Sequence, residues 1–317
     1  MSRVLATYNI KGGVGKTSAA VNLAYLAARG GAKTLLWDLD PQGASTYLFR
    51  VRPKVRGGVR KLVHRKSAVE KLIKGTDHER LDLLPADFSY RHMDLALDAA
   101  KHSNDRLALV LEPLRAEYEY IFLDCPPSIS LVSENVFEAA DTLLVPIIPA
   151  TLSSRTFEQL EELVRGGPQV LAFFSMVEVR KSLHREVMAK LRAAHVTMLG
   201  AAIPSADEVE RMGVDRTVVA EIAPGGRAAL AYEALWWDVR RRLGAPAGAA
   251  PGAPPGAPPA APPGAPPGSS AGGMTSGQSL PVGGRGAGGG RFRRAGGAVG
   301  GVGAEGGGGG LGCGNWW

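Results

Sequence analysis

Cysteines, aromatic residues and long apolar runs are all scarce in this sequence. The chain has only two cysteines, Cys125 and Cys313, which do not support a disulfide framework. The N-terminus lacks the basic-then-apolar order of a signal peptide, and charged or turn-forming residues interrupt every apolar run before it reaches the length of a membrane span. We therefore expect a cytoplasmic protein without stable membrane insertion.

Glycine and proline divide the chain into two parts. Of 42 Gly and 22 Pro in 317 residues, 26 Gly and 11 Pro follow Gly244. That C-terminal stretch lacks periodic apolar residues, so apolar burial cannot offset the entropy lost on ordering it. The earlier part has an ordinary composition, and 45% of the whole chain is apolar. The composition predicts one folded domain over residues 1–244 and a disordered Pro/Gly-rich tail over 245–317.

Within residues 1–244, short apolar runs alternate with helical patterns. Continuous apolar strands that alternate with helices indicate an α/β fold, with a mostly parallel twisted sheet and helices on both faces. The predicted strands are Arg3–Tyr8, Lys33–Asp38, Tyr120–Asp124, Thr142–Ile148, Val170–Val177 and Leu199–Ile203. The predicted helices are Lys16–Arg29, Ser133–Ala140, Thr156–Arg165, Leu183–Ala194 and Ala228–Leu243.

A glycine-rich loop, KGGVGKT, follows the first predicted strand and precedes the first helix. Glycines let backbone N–H groups wrap phosphate oxygens, and the start of a helix adds a favourable dipole. A lysine and a threonine at the end of such a loop reach the β- and γ-phosphates and Mg²⁺. The strict P-loop pattern fails because Ile10 stands at its first glycine position. The predicted phosphate-binding residues are Lys11, Gly12, Gly13, Val14, Gly15, Lys16, Thr17 and Ser18.

Three ordered motifs carry a family resemblance over roughly residues 4–243. They are the loop KGGVGKT with its extra lysine, LLWDLDPQG at 35–43 and FLDCPPS at 122–128. Together they resemble the deviant Walker A ATPases, which include ParA-type partition ATPases and MinD-type division-site ATPases. The resemblance implies a P-loop NTPase fold. The chain resembles the short ParA form, without an N-terminal helix-turn-helix.

The same resemblance implies a role for each charged residue of these motifs. Lys11 would reach across a dimer interface to the nucleotide of the other subunit, which implies a homodimer when ATP is bound. Asp40 would orient the attacking water, Asp38 would lie beside the metal, and Asp124 would hold Mg²⁺ through water. Carboxylates at strand ends around a phosphate loop suit these tasks. The implied catalytic residues are Lys11, Lys16 and Asp40, and the implied metal ligands are Thr17, Asp38 and Asp124.

Other site patterns are incomplete. The sequence has no Asn-Lys-x-Asp guanine signature, which favours ATP over GTP. Ser175-Met176 stands where related ATPases often have Asn, so the adenine contact stays unassigned. His78-Glu79 lacks the second histidine of a zinc protease. We expect Cys125 to be a small buried residue, because one cysteine in the folded part of each subunit is too few for an iron–sulfur cluster.

Two regions are candidates for contact with nucleic acid. Residues 50–74 contain ten Lys or Arg and one Glu, and the window 50–66 is either a phosphate-binding surface or an ordinary solvated face. The family resemblance instead implies a nonspecific DNA surface on later helices. Its candidate residues are Arg180, Lys181, Arg185, Arg211 and Arg216.

The segment LWWDVRRRL at 235–243 has two interpretations. An aromatic, Arg-rich helix can lie on an anionic membrane, whereas its apolar stripe, which includes Leu235, Trp236 and Val239, fits a helix docked on the sheet. Docking is the favoured interpretation.

Three functions therefore stay open. The first is a ParA-like switch that binds DNA when ATP-bound, associates with the nucleoid, is stimulated by a ParB-like or other activating partner and positions a plasmid, chromosome or protein cargo. The others are a MinD-like membrane-cycling ATPase and an ATP-dependent biosynthetic ligase of the same fold.

Overall fold

The computed structural model describes residues 2–64, 69–100 and 103–244. Over these ranges the chain contains eight strands that form one sheet. They are β1 (Arg3–Thr7), β2 (Thr34–Asp38), β3 (Lys74–Gly75), β4 (Leu81–Leu84), β5 (Tyr120–Asp124), β6 (Thr142–Ile147), β7 (Gln169–Val177) and β8 (Met198–Pro204).

The α-helices lie between the strands and after the last of them. They are α1 (Lys16–Arg29), α2 (Ala44–Leu48), α3 (Gly58–Val63), α4 (Met93–Asp98), α5 (Arg106–Leu111), α6 (Leu131–Ala139), α7 (Ser153–Leu163), α8 (Ser182–Ala194), α9 (Asp207–Asp215), α10 (Val219–Ile222) and α11 (Arg227–Arg242). Short 3₁₀ turns lie at Val69–Leu72, Phe88–His92 and Glu112–Ala116.

The strand order is β3-β4-β2-β5-β1-β6-β7-β8. All neighbouring strands are parallel except β3, which pairs antiparallel with β4. Parallel strands need crossover connections, so helices cover both faces of the sheet and the central strands are buried. The predicted α/β fold is confirmed.

Two apolar cores lie on the two faces of the sheet. Trp37, Ile121 and Leu123 belong to one core, which α6 and α7 help to cover. Phe122 and Leu36 belong to the other, with residues of α1 and α11. Alternate residues of a strand point to opposite faces, which explains why neighbours in one strand enter different cores.

Helix α11 docks on the second core. Leu235 and Val239 are fully buried, and the Trp236 ring lies 5.1 Å from that of Tyr120. Asp238 ties the helix to β8 by accepting a hydrogen bond from the Ala201 amide at 3.0 Å. The favoured docking interpretation of this segment agrees with this packing. None of the helices in the described ranges has the length and apolar content needed to cross a membrane.

The predicted strands are confirmed, and none of their bounds differs from the structure by more than one residue. The sequence patterns missed β3 and β4, and with them the short helices between them and β5. Strand β4 has only four residues and carries Asp82, whose carboxylate accepts a hydrogen bond from the Tyr118 hydroxyl at 2.8 Å. A polar residue in so short a run hides the apolar signal of a strand. The predicted disordered tail, 245–317, lies outside the described residues.

Candidate nucleotide site

Three strands end at the same level of the sheet, beside the glycine-rich loop. In the parallel register, Thr7 at the end of β1 and Asp38 at the end of β2 both pair with Asp124 at the end of β5. The carboxyl ends of parallel strands are where α/β folds bind ligands. The order of the strands therefore brings the three sequence motifs together.

The loop 11–17 adopts a conformation that only glycine takes easily. Gly13 and Gly15 have φ angles of 68° and 91°, in the left-handed region. A Cβ at Gly15 would lie 2.7 Å from the Ser175 hydroxyl oxygen, so the end of β7 packs directly against the loop. Gly15 also stands immediately before α1, which aims the N-terminus of that helix at the loop.

Side chains on both sides hold the loop in place. The Asn9 amide donates to the Pro146 carbonyl at 2.8 Å and accepts from the Lys11 amide at 3.0 Å. The Tyr8 hydroxyl donates to the Ser128 carbonyl at 2.7 Å. These bonds join the loop to the ends of β5 and β6, so it is organised before any ligand binds.

Lys16, the first residue of α1, is buried where the loop meets the helix. Its ammonium group donates to the Lys11 carbonyl at 3.0 Å. Burial lowers the pKa of Lys16, while the negative charges of Asp124 and Asp40 oppose the decrease. In contrast, the Lys11 side chain belongs to an exposed residue on the surface of the loop. The two lysines of the motif therefore occupy different environments, one inside the site and one at its rim.

Asp124 is the buried carboxylate whose surroundings best suit a metal ion. One oxygen accepts from the Ser45 hydroxyl at 2.7 Å, while Oδ1 is buried without a hydrogen-bond partner among the described residues. Burial raises the pKa of Asp124 to about 6, although the hydroxyl groups of Ser45 and Thr17 and the Lys16 charge oppose the increase. A buried oxygen with spare acceptor capacity beside a threonine hydroxyl fits a hydrated divalent cation.

Asp38 lies beside Asp124 and also accepts hydrogen bonds from Thr46. Its Oδ2 accepts from the Thr46 amide at 2.8 Å and from the Thr46 hydroxyl at 2.7 Å. Burial, followed by the charge of Asp124, raises the pKa of Asp38 well above its usual range. Asp38 thus fixes α2 against the end of β2. Among the described residues, no group of three His, Cys, Asp or Glu side chains is arranged to hold a metal by itself.

Asp40 lies in the turn between β2 and α2 and is half-buried. Its carboxylate accepts from the Gln42 amide at 2.9 Å, and its backbone amide donates to Asp38 at 3.2 Å. Its charge acts on both Lys16 and Asp124. Sequence analysis missed Ser45 and Thr46, which bind the two buried carboxylates. Their position directly after the LLWDLDPQG motif is the signal that could have found them.

The remaining residues of the loop and of the FLDCPPS motif differ in burial and position. Cys125 is buried and unpaired, and burial raises the pKa of its thiol well above the usual range. Pro127 lies next to the loop, since a Cβ at Gly12 would be 3.9 Å from its Cγ. Val14 is buried, whereas Thr17 and Ser18 are half-buried at the start of α1.

The candidate DNA residues on and beside α8 and α9 are mostly engaged within the protein. Lys181 pairs with Glu178 at 2.5 Å, and Arg211 pairs with Asp215 at 3.2 Å. Arg185 donates to the Val179 carbonyl at 2.9 Å. Arg216 has a φ of 51° at the end of α9 and donates to the Tyr47 carbonyl at 2.9 Å. Arg180 is exposed.

Comparison with known proteins gives a family match. The family profile described as AAA domain matches residues 2–167. A chromosome partitioning protein ParA of Myxococcus xanthus is 36% identical over 148 residues, which cover 46% of this chain and 52% of that protein. ParA of Caulobacter vibrioides is 32% identical over 243 residues, covering 73% of this chain and 87% of that protein. For the first relatives, the match thus spans only about half of their length.

Solved structures share the fold. Cobyrinic acid a,c-diamide synthase from Mycobacterium smegmatis, with bound ATP analogue and magnesium, superposes with a TM-score of 0.64 at 24% identity and covers 76% of this chain and 96% of its own. The cell division ATPase MinD of Pyrococcus furiosus gives a TM-score of 0.63 at 21% identity, covering 76% and 100%. At these identities the likeness shows the fold alone.

Proposed function

The chain belongs to the AAA domain family, whose profile matches residues 2–167, and its relatives include chromosome partitioning proteins named ParA. From this premise we propose that it is a ParA-like ATPase. It binds ATP with Mg²⁺, forms a homodimer in the ATP-bound state and binds DNA nonspecifically in that state. A ParB-like or other activating partner stimulates hydrolysis, which releases the chain from the nucleoid and so positions a plasmid, chromosome or protein cargo.

The single observation that carries this proposal is the meeting of the loop with the buried carboxylates. Lys16 lies within electrostatic reach of Asp124 and Asp40, and Asp124 keeps one oxygen without a hydrogen-bond partner in the described part of the chain. Phosphoryl transfer needs positioning and charge neutralisation more than covalent chemistry. This arrangement supplies a cation for the phosphates and oxygen ligands for a metal.

Each residue then has a distinct task. The loop amides and the start of α1 hold the phosphate oxygens, and Lys16 neutralises charge on the β- and γ-phosphates. Thr17 and Asp124 would hold Mg²⁺, which when bound neutralises phosphate charge, and Asp38 would lie beside it. Asp40, held by the Gln42 amide, is placed to orient the attacking water. Exposed Lys11 is available to the nucleotide of a second copy.

Two alternatives make different predictions. A MinD-like membrane cycle requires the tryptophans of α11 to reach lipid, but Trp236 is buried against Tyr120 and Phe122. A biosynthetic ligase would release phosphate only with its carboxylate substrate. We also propose that residues 1–244 form one ATPase domain and that residues 245–317 lie outside it.

The test measures ATP hydrolysis and DNA co-sedimentation of the full chain with and without ATP. Wild type should hydrolyse ATP slowly without any added substrate and sediment with DNA only when ATP and Mg²⁺ are present. Lys16→Ala should lose nucleotide binding and both activities. Phosphate release that depends entirely on an added carboxylate, or DNA binding that ignores ATP, would contradict the proposal.

A further inference from the structure

The most basic exposed stretch of the described chain lies around α3. Its cations are all exposed and fall within ten residues, and residues 50–64 contain no acidic side chain. We call this set the α3 surface. It consists of Arg52, Lys54, Arg56, Arg60 and Lys61.

Packing beneath the α3 surface fixes its backbone. Val59, Leu62 and Val63 on the inner side of α3 are buried in the first core. The Val59 amide donates to the Ser89 hydroxyl at 2.8 Å, and the Arg106 guanidinium binds the Val63 carbonyl at the end of the helix. The basic side chains therefore project from an anchored turn and helix, which distinguishes this surface from an unstructured charged loop.

The charges of the α3 surface are not neutralised by ion pairs. Within residues 2–64, 69–100 and 103–244, none of its five cations makes a salt bridge or a side-chain hydrogen bond. Asp87 interacts electrostatically with Lys54, but its carboxylate is already occupied by the Val55 and Ser89 amides at 2.7 and 2.9 Å. By contrast, Lys181, directly before α8, and Arg211 on α9 each have a carboxylate partner.

Unpaired cations on a fixed surface fit a polyanion. Neutralising phosphates releases condensed counterions, so each cation that contacts nucleic acid strengthens binding in a salt-dependent way. A helix that lies in the membrane interface also exposes an apolar face, and none of the large exposed apolar residues falls between 50 and 64. The nearby Phe88 is exposed, and the Arg91 guanidinium stacks on one face of its ring, 3.8 Å from the ring centre.

We propose that the α3 surface binds the phosphate backbone of duplex DNA and is the main DNA contact of this chain, in place of the candidate cations on and beside α8 and α9. This inference rests on the proposed function, because it assigns a surface to the DNA binding proposed there. Since backbone phosphates carry no sequence information directly, binding through this surface is independent of DNA sequence.

The test compares two matched triple charge reversals in the full chain. One is Arg56→Glu/Arg60→Glu/Lys61→Glu, and its control is Arg180→Glu/Lys181→Glu/Arg185→Glu. Affinity for a labelled duplex is measured by fluorescence anisotropy with ATP and Mg²⁺, over a range of salt concentrations. The α3 triple should weaken binding at least ~100-fold and reduce the salt slope by about 3, one for each lost phosphate contact. The control triple should change affinity less than about threefold.

Folding and membrane binding are checked on the same variants. Both triples should retain wild-type ATP hydrolysis and circular dichroism. If the α3 triple does not fold, the milder variant Arg60→Gln/Lys61→Gln is measured in its place and should show a partial loss of DNA affinity. Unchanged affinity in folded α3 variants, or a loss confined to the control triple, would overturn the inference. The inference would also be overturned if the α3 variants lost binding to phosphatidylserine vesicles but kept their affinity for DNA. A wild-type chain that binds no DNA with ATP would overturn the proposed function as well, which this comparison detects separately.

Discussion

Replacing Asp124 by Asn should stabilise the protein without nucleotide while removing its metal site. The Asp124 carboxylate is buried, and burial raises its pKa from 3.8 to about 6. A carboxyl group with a higher pKa in the folded state binds its proton more tightly there than in the unfolded chain. The folded protein therefore loses stability as the pH rises from about 4 to about 6. Asn carries no charge and removes this loss.

The magnitude follows from the two pKa values. The difference between 3.8 and about 6 corresponds to about 3 kcal/mol of unfolding free energy. The new amide group would find no partner where Oδ1 has none, which costs ~1 kcal/mol at every pH. We therefore expect Asp124→Asn to be about 2 kcal/mol more stable than wild type at pH 7.5, and no more stable than wild type below pH 4.

Urea unfolding between pH 4 and pH 7.5, followed by tryptophan fluorescence in EDTA without nucleotide, measures this effect. The exposed Glu70→Gln is the control, and its curve should run parallel to that of wild type. Adding Mg²⁺ and ATP should stabilise wild type but not Asp124→Asn. If the free energies of Asp124→Asn and wild type kept a constant difference across this pH range, the reasoning from burial would be refuted.

Three further predictions concern the loop, α11 and the tail. Gly15→Ala places a Cβ 2.7 Å from the Ser175 hydroxyl at a φ of 91°, so it should weaken ATP binding at least ~10-fold in calorimetry and cost ~1 kcal/mol or more in stability; wild-type affinity would contradict the geometry. Trp236→Ala should lower the unfolding free energy by ~3 kcal/mol because the ring is buried, whereas half-buried Trp237→Ala should cost less; equal losses in urea titrations would argue against docking. Deleting 245–317 should leave steady-state ATP hydrolysis unchanged, and loss of activity would show that the tail belongs to the ATPase domain.

Much of the fold was predictable because its parallel strands are buried on both sides. Runs such as YIFLD at β5 and TLLVPI at β6 have no polar interruption, so composition alone marks them as strands. The edge of the sheet was not predictable in this way. Strand β3 has only two residues, Lys74 and Gly75, and both are exposed. Neither apolar periodicity nor length distinguishes such a strand from a loop.

The site was predictable in its motifs but not in its supporting contacts. Lys16 and Asp124 stand in local patterns whose chemistry requires those residue types at that spacing. The Ser45–Asp124 and Thr46–Asp38 hydrogen bonds connect residues that sequence patterns do not relate. They depend on how α2 folds back over the strand ends, which is a tertiary property. The hydrogen bond from Arg216 to the Tyr47 carbonyl is also a tertiary property, because it joins the end of α9 to α2.

The most direct test of the proposed nucleotide switch is the oligomeric state of Asp40→Ala. In sedimentation velocity with Mg²⁺ and ATP, this variant should bind nucleotide, fail to hydrolyse it and accumulate at twice the monomer mass, while Lys16→Ala stays monomeric. Without nucleotide, wild type and both variants should be monomers. An Asp40→Ala protein that binds ATP and yet remains monomeric would contradict the account.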